Sequence, residues 1–346
     1  MRKVLLAALL LAITGCSLMV KTPVVANYSN LDLIDKNTTK NDVAVLLGTP
    51  QGAGFYGARN SFNELQFYYG FAGKFTMSGA NYDSGFSFIT YKDEKPFDLI
   101  YFTSKMSGKE ITFKKDISIK LIADSLQLGK SSFDDLTAVI GLPDYTGRRV
   151  KFPENIYHTI GYWDASQMES KGAIKEKWLL VGYDENKVIQ DLIWVSSDAK
   201  DIKAFGEVTE QQMKQMSRTV IAGFLPVLEA TGLDTGTKID VVQVDALLKT
   251  NPKNVKDIVK VIGKPSALGI KSFKGDDSLN LSHWSFMKLD VKGQEHNYVP
   301  ANATEEQRKQ MLESTFTVIS IEQSRLMVGH TPNGEIKEIL WTYPTK

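Results

Sequence analysis

The chain has 346 residues, with 41 lysines and arginines against 40 aspartates and glutamates, for a formal net charge of +1. Hydrophobic residues make up 42% and charged residues 23%, an ordinary globular balance that excludes a disordered or collagen-like chain and an electrostatic nucleic-acid binder. One cysteine and four scattered histidines (His158, His283, His296, His330) exclude an intrachain disulfide and a cysteine-rich metal site, so neither metal nor cofactor is expected.

The N-terminus opens with the basic Met1-Arg2-Lys3 and continues in an apolar run from Val4 to Ile13. As a helix that run covers about 15 Å, half of a bilayer core of about 30 Å, so it reads as the apolar part of a signal peptide and not as a spanning helix. It ends in Ile13-Thr14-Gly15-Cys16, which resembles the lipobox of bacterial lipoproteins. That resemblance implies cleavage before Cys16 and two or three acyl chains on it, palmitate among them. Stable anchoring needs more than one chain, because each buried methylene contributes only about 0.8 kcal/mol. It also makes Ser17 an outer-membrane address, since an Asp there marks inner-membrane retention. Residues 1–15 are thus expected to be a signal peptide and 16–28 a lipidated terminus and tether. No later stretch has the apolar length of a membrane helix.

Three segments then align without gaps. They run from Thr39 through Asp42 and Gly48 to Pro50, from Ser132 through Asp135 and Gly141 to Pro143, and from Asn254 through Asp257 and Gly263 to Pro265. Thr39, Ser132 and Asn254 suit a helix N-cap, and the aspartates three residues on suit the reciprocal capping bond. Val43, Leu46 and Leu47, with their counterparts, fall on one face. Each glycine suits a left-handed helix stop, and each proline prevents continuation. The spacing predicts a two-turn helix with a hard stop, three times over.

Beyond each proline an aromatic strand begins, at Tyr69, Trp163 and Trp284. A closing hairpin follows, ending in Asp98-Leu99-Ile100-Tyr101, Asp191-Leu192-Ile193-Trp194 and Glu338-Ile339-Leu340-Trp341. The fold class expected is α+β: three tandem modules, each a helix pair packed on a small antiparallel sheet. The modules are placed at 29–105, 118–198 and 238–346. The third carries an insertion near 289–314, where Thr304 and Gln307 look like a capping box. Residues 199–237 form a linker whose Met213, Met216, Val220, Phe224 and Leu228 recur with helical spacing.

This pattern resembles the SmpA/OmlA (BamE-like) outer-membrane lipoprotein family and the related fold of the β-lactamase inhibitory protein, BLIP. The second unit carries the resemblance best, with Gly129 before Ser132, then Gly141-Leu142-Pro143 and the aromatic strand Tyr162-Trp163. The resemblance implies two helices against a twisted sheet of three or four strands, and a role in binding other proteins.

Tandem sheets side by side would make a concave contact face, on which Tyr68, Tyr162 and Ser285 are candidates. The repeat-matched Trp163, Trp194, Trp284 and Trp341 are expected in cores under the helices. Arg148 and Arg149, and the glycine-rich stretch from Gly52 to Gly85 with Phe55, Tyr56, Phe71 and Phe75, lie outside the repeat and are weighed as binding features against solvated loop. No catalytic motif is present, Asp135 is explained by capping, and His158 and His283 on predicted strands read as surface or satisfied side chains. The reading is a non-catalytic, lipid-anchored, periplasm-facing outer-membrane protein. Its partners would be the bilayer, through acylated Cys16, and other envelope proteins, in outer-membrane protein assembly or envelope integrity. The rivals are a periplasmic inhibitor or ligand-binding module of the BLIP type and an envelope hydrolase of unrecognised kind.

Overall fold

The computed structural model describes residues 18–21, 28–58, 61–76, 79–107, 117–152, 156–168, 174–198, 200–201, 239–273, 278–296, 304–306, 308 and 315–345. A short strand β1 (Leu18–Lys21) is followed by a first unit: a 3-10 helix (Tyr28–Leu33), α1 (Lys40–Leu47), β2 (Gly52–Ala58), β3 (Ser61–Thr76), β4 (Gly79–Lys92) and β5 (Lys95–Ser107). The second unit contains α2 (Ile119–Ser125), α3 (Phe133–Ile140), β6 (Tyr145–Lys151), β7 (Ile156–Asp164), the small hairpin β8 (Gln167–Met168) and β9 (Ile174–Lys175), β10 (Lys177–Tyr183) and β11 (Ile189–Ser196). The third contains α4 (Val241–Lys249), α5 (Val255–Ile262), β12 (Ala267–Phe273), β13 (Leu279–His296), β14 (Thr315–His330) and β15 (Ile336–Pro344). The linker helix expected within 199–237 falls almost wholly outside the described residues.

The capping boxes form as the repeat predicts. Thr39 with Asp42, Ser132 with Asp135 and Asn254 with Asp257 each exchange the reciprocal bonds at the N-termini of α1, α3 and α5. Each helix start is also tied to the last hairpin turn of its own unit: Lys40 N–H donates to the Glu94 carbonyl, Phe133 to Lys187 and Val255 to Gly334. The stopping glycines differ from the expected left-handed helical value. Gly48, Gly141 and Gly263 have φ of 86°, 81° and 86° with ψ of −158°, −179° and −168°, a region essentially restricted to glycine. Three residues before the caps, Gly129 and Asn251 both take positive φ, 74° and 53°, asparagine being the residue after glycine that best tolerates it.

The fold class is the main correction. The sheets are not three small separate ones. They merge into one closed antiparallel barrel of twelve strands, β14-β13-β12-β11-β10-β7-β6-β5-β4-β3-β2-β15, with β15 returning to β14. Five α-helices lie among the described residues. Four barrel strands come from each unit, so the thirds remain pseudo-equivalent. The three seams share one register: Phe102 pairs with Gly147, Val195 with Gly269 and Thr342 with Gly54, and each glycine stands four residues past its unit's proline. The contact face imagined from sheets lying side by side does not exist, since the sheet has no free edge.

Helix packing explains why the units cannot stand apart. α2 and α3 bury Trp163, Leu179, Val181, Leu192 and Trp194 of their own unit, but also Leu268 and Ile270 of β12. The first unit's helices reach Val150 of β6 and Phe152 just after it, and those of the third reach Phe55 of β2. Each apolar layer is completed by the first strand of the next unit, so separating the modules would expose half-covered cores. The repeat aromatics lie in these layers as expected. Pairing aligns Tyr68, not Tyr69, with Trp163 and Trp284, because Phe67 pairs with Gly52 as Tyr162 pairs with Tyr145 and His283 with Ala267. The glycine-rich stretch from Gly52 to Gly85 is no loop but largely the strands β2, β3 and the start of β4.

Candidate functional site

Strand alternation sends every second side chain to the opposite face from the helices, where Phe102, Ile160, Tyr162, Trp178, Val195, Ala267 and Leu281 form one cluster with Phe86, Tyr145 and Met327. These residues come from nine of the twelve barrel strands, β4 to β7 and β10 to β14, so this face is the barrel interior. Rings meet across it: Phe86 of β4 lies 5.7 Å from Tyr162 of β7, and Trp178 of β10 lies 6.3 Å from His283 of β13. The middle of the lumen is packed with side chains.

Toward the hairpin turns at one end, the lumen carries a charged layer that repeats with the units. Each last strand contributes a carboxylate, Asp98, Asp191 or Glu338. The sixth residue past each proline contributes Tyr56, Arg149 or Lys271. Arg149 donates to Asp98 from Nε at 3.0 Å and Nη2 at 2.6 Å. Lys271 donates to both Glu338 oxygens at 2.5 and 2.6 Å, crossing the lumen from β12 to β15. Tyr56 donates to Glu338 at 3.3 Å. Burial alone would push the Lys271 ammonium down, but Glu338, with Tyr56, outweighs it and the net shift is upward. Asp191 is the carboxylate that Lys271 leaves for Glu338. Burial raises its carboxyl, only partly opposed by Arg149, His158 and Lys271.

A second polar group lies in the lumen toward the other end. Nδ1 of His283, fully buried, is 2.6 Å from Oε2 of Glu176. Burial would raise the Glu176 carboxyl, yet His283, aided by Arg325 and Ser285, holds it below the usual carboxylate range. Among the described residues Nε2 of His283 has no hydrogen-bond partner. Around this rim one bond recurs in every unit. The residue after each proline accepts from a strand N–H: Gln51 from Tyr69, Asp144 from Asp164 and Ser266 from Ser285.

The residues singled out from the sequence are dispersed by this architecture. Tyr68 is buried under the first unit's helices and donates to Gln66 at 2.8 Å. Tyr162 faces the lumen beside Tyr145. Arg148 and Arg149 separate to opposite faces, the former outward toward Asp32 at 3.9 Å, the latter into the charged layer. Ser285 lies buried on the lumen side, and His158 stands near Asp191. Cys16 lies outside the described residues. Two of the three last-strand aromatics anchor the preceding helical segment through side chains, Tyr101 to Asp32 at 3.2 Å and Trp341 to Asp245 at 2.8 Å, and Trp194 does so through the Ile117 carbonyl at 2.8 Å. The alternating acids and bases of the lumen escaped the sequence reading because their meaning depends on the seams. Their signal was present in the aligned Asp98, Asp191 and Glu338.

The class defined by this geometry is a closed, pseudo-threefold twelve-strand barrel with a packed lumen, helices on its outer wall and internal ion pairs across its seams. No protein-family model, curated protein or solved structure matches the chain. Among the described residues no helix is long and apolar enough to cross a membrane, and a closed barrel of this kind is compatible with an outer-membrane location.

Proposed function

We propose that this chain is a non-catalytic, lipid-anchored outer-membrane protein that faces the periplasm and binds other envelope proteins, in the manner of the SmpA/OmlA family it resembles. The observation that carries the reading is a set of apolar side chains exposed on the helical wall among charged neighbours such as Asp134, Asp135, Lys256 and Lys260. Val139 on α3 and its counterpart Val261 on α5 are 41% and 42% exposed, and Leu142, just past the α3 stop, is 69% exposed. Apolar side chains held outward on rigid helices are what a protein partner covers. The lumen is consistent with the same reading, since Arg149 pairs with Asp98, Lys271 with Glu338, and its centre is packed. Exposed Asp83, Lys288 and Glu322 on uncovered outer strands suit a barrel standing in water at the membrane, tethered by Cys16, better than one whose wall faces lipid.

The test is in-cell photocrosslinking from a probe at Leu142, with the products identified by mass spectrometry, alongside acyl labelling of the wild type and Cys16→Ala. Recovery of outer-membrane assembly components, with label lost in Cys16→Ala, supports the proposal. Recovery of a single soluble hydrolase instead favours an inhibitor, and label retained in Cys16→Ala removes the anchor.

A further inference from the structure

The strand β1 fixes where the chain before it leaves the barrel. It lies between the two longest hairpins, parallel to β14 and antiparallel to β3, with Met19 opposite both Phe316 and Lys74, and Leu18 opposite Phe75. Phe75 in turn pairs with Ala80, next to the last pair of that hairpin, Thr76 with Gly79. Phe316 pairs with Glu295, next to the last pair of the other, His296 with Thr315. The N-terminus of β1 therefore arrives beside the last described pairs of both strand pairs, at the end of the barrel away from the turns that carry Asp93, Asp184 and Asn333.

Cys16 is two residues before Leu18, a reach of at most roughly 7 Å. The geometry points to a barrel held with the rim that carries the strand ends Thr76, Gly79, His296 and Thr315 toward the bilayer, and with the opposite rim and the charged lumen layer turned toward the periplasm. The inference rests on the acylation of Cys16 proposed above and adds an orientation to it. The stretch read from the sequence as a tether is in part a strand of the barrel, so the lipid does not hang from a free linker. β1 supplies seven register pairs to the wall, four with β3 and three with β14, and it turns an anchor into a fixed stance. The partner of this rim is the lipid surface itself, and the helical wall stands clear of it for a protein.

The test uses the full-length acylated protein in vesicles of phosphatidylethanolamine and phosphatidylglycerol that contain a nitroxide-headgroup lipid. Because Cys16 is the sole cysteine and is acylated, an introduced cysteine is the one thiol open to a fluorophore. Probes at Thr76→Cys and His296→Cys should be quenched several-fold more strongly than one at Glu185→Cys, which sits on a turn at the opposite end. Met19→Pro, which removes a strand N–H, should keep the acyl label and erase most of that difference. Equal quenching at all three positions, or stronger quenching at Glu185→Cys, overturns the orientation while leaving the anchor intact. A difference undiminished in Met19→Pro overturns the role of β1. Absence of acyl label on the wild-type protein overturns the anchor and the orientation with it.

Discussion

Arg149 and Asp98 face each other across the seam between the first and second units, joined by two hydrogen bonds at 3.0 and 2.6 Å. Their side chains are 15% and 5% exposed, so this is a buried pair, whose value lies less in net attraction than in the penalty for breaking it. Asp98→Ala, which strands the guanidinium, should cost about 3–5 kcal/mol, and Asp98→Leu with Arg149→Met should recover most of the loss. Chemical denaturation of the three proteins decides. A loss well under 1 kcal/mol in the single variant would show that water reaches the seam.

The two lumen carboxylates without a full complement of partners should respond to pH with opposite signs. Asp191 has its folded pKa raised by burial. The folded state thus binds the proton more readily than the unfolded chain, and stability falls as pH rises from the unfolded value of about 3.9 through the folded one. Asp191→Asn should therefore melt higher than the wild type at neutral pH, and the gain should vanish on acidification. Glu176 is held below its ordinary value by His283 against the opposing effect of burial. Its contribution is present above the unfolded pKa and is lost as pH falls through the lowered folded one. Glu176→Gln should melt lower at neutral pH, with the deficit disappearing in acid. Melting curves across the acid range check both; equal slopes in the two variants would contradict the assignment.

The seam glycines are a second point of failure. A Cβ on Gly54, Gly147 or Gly269 would stand 1.8, 1.7 or 2.0 Å from the carbonyl oxygen of Trp341, Tyr101 or Trp194, and a backbone carbonyl in a ladder cannot turn aside. Gly147→Ala should cost about 1–3 kcal/mol or more and loosen the pairing of β5 with β6. Hydrogen exchange at the amides of that seam, compared with the Gly269→Ala protein at its own seam, localises the effect. Unchanged exchange in both would show that the strands are not so closely apposed.

Gly141 tests a different cost. Nothing lies within 4 Å of where its Cβ would be, and its φ is 81°, so the penalty for Gly141→Ala is conformational alone, about 1–3 kcal/mol. Denaturation midpoints read this directly, and a neutral outcome would mean that α3 ends in some other way.

Much of the local architecture was legible before the fold was known. The cap residues Thr39, Ser132 and Asn254, their aspartates and the glycine–proline stops act within a few bonds of themselves, so sequence spacing determines where α1, α3 and α5 begin and end. The threefold repeat was equally plain, because it is a property of order along the chain, and the aligned glycines four residues past each proline already recorded every seam, although their meaning was not read. What the chain alone left open is which strand each unit's edge meets. Arg148 and Arg149 are neighbours in the sequence, and only the β5–β6 register sends one outward to Asp32 and the other inward to Asp98. Tyr68 and Tyr162 looked alike as contact residues, and the β2–β3 and β6–β7 registers place the first beneath helices and the second in the lumen. The physical reason is the same throughout: caps, turns and strand alternation are short-range, whereas the choice between three sheets and one barrel depends on burying apolar faces such as Leu268 and Ile270 under a neighbour's helices, a balance that exists only when all three units are present together.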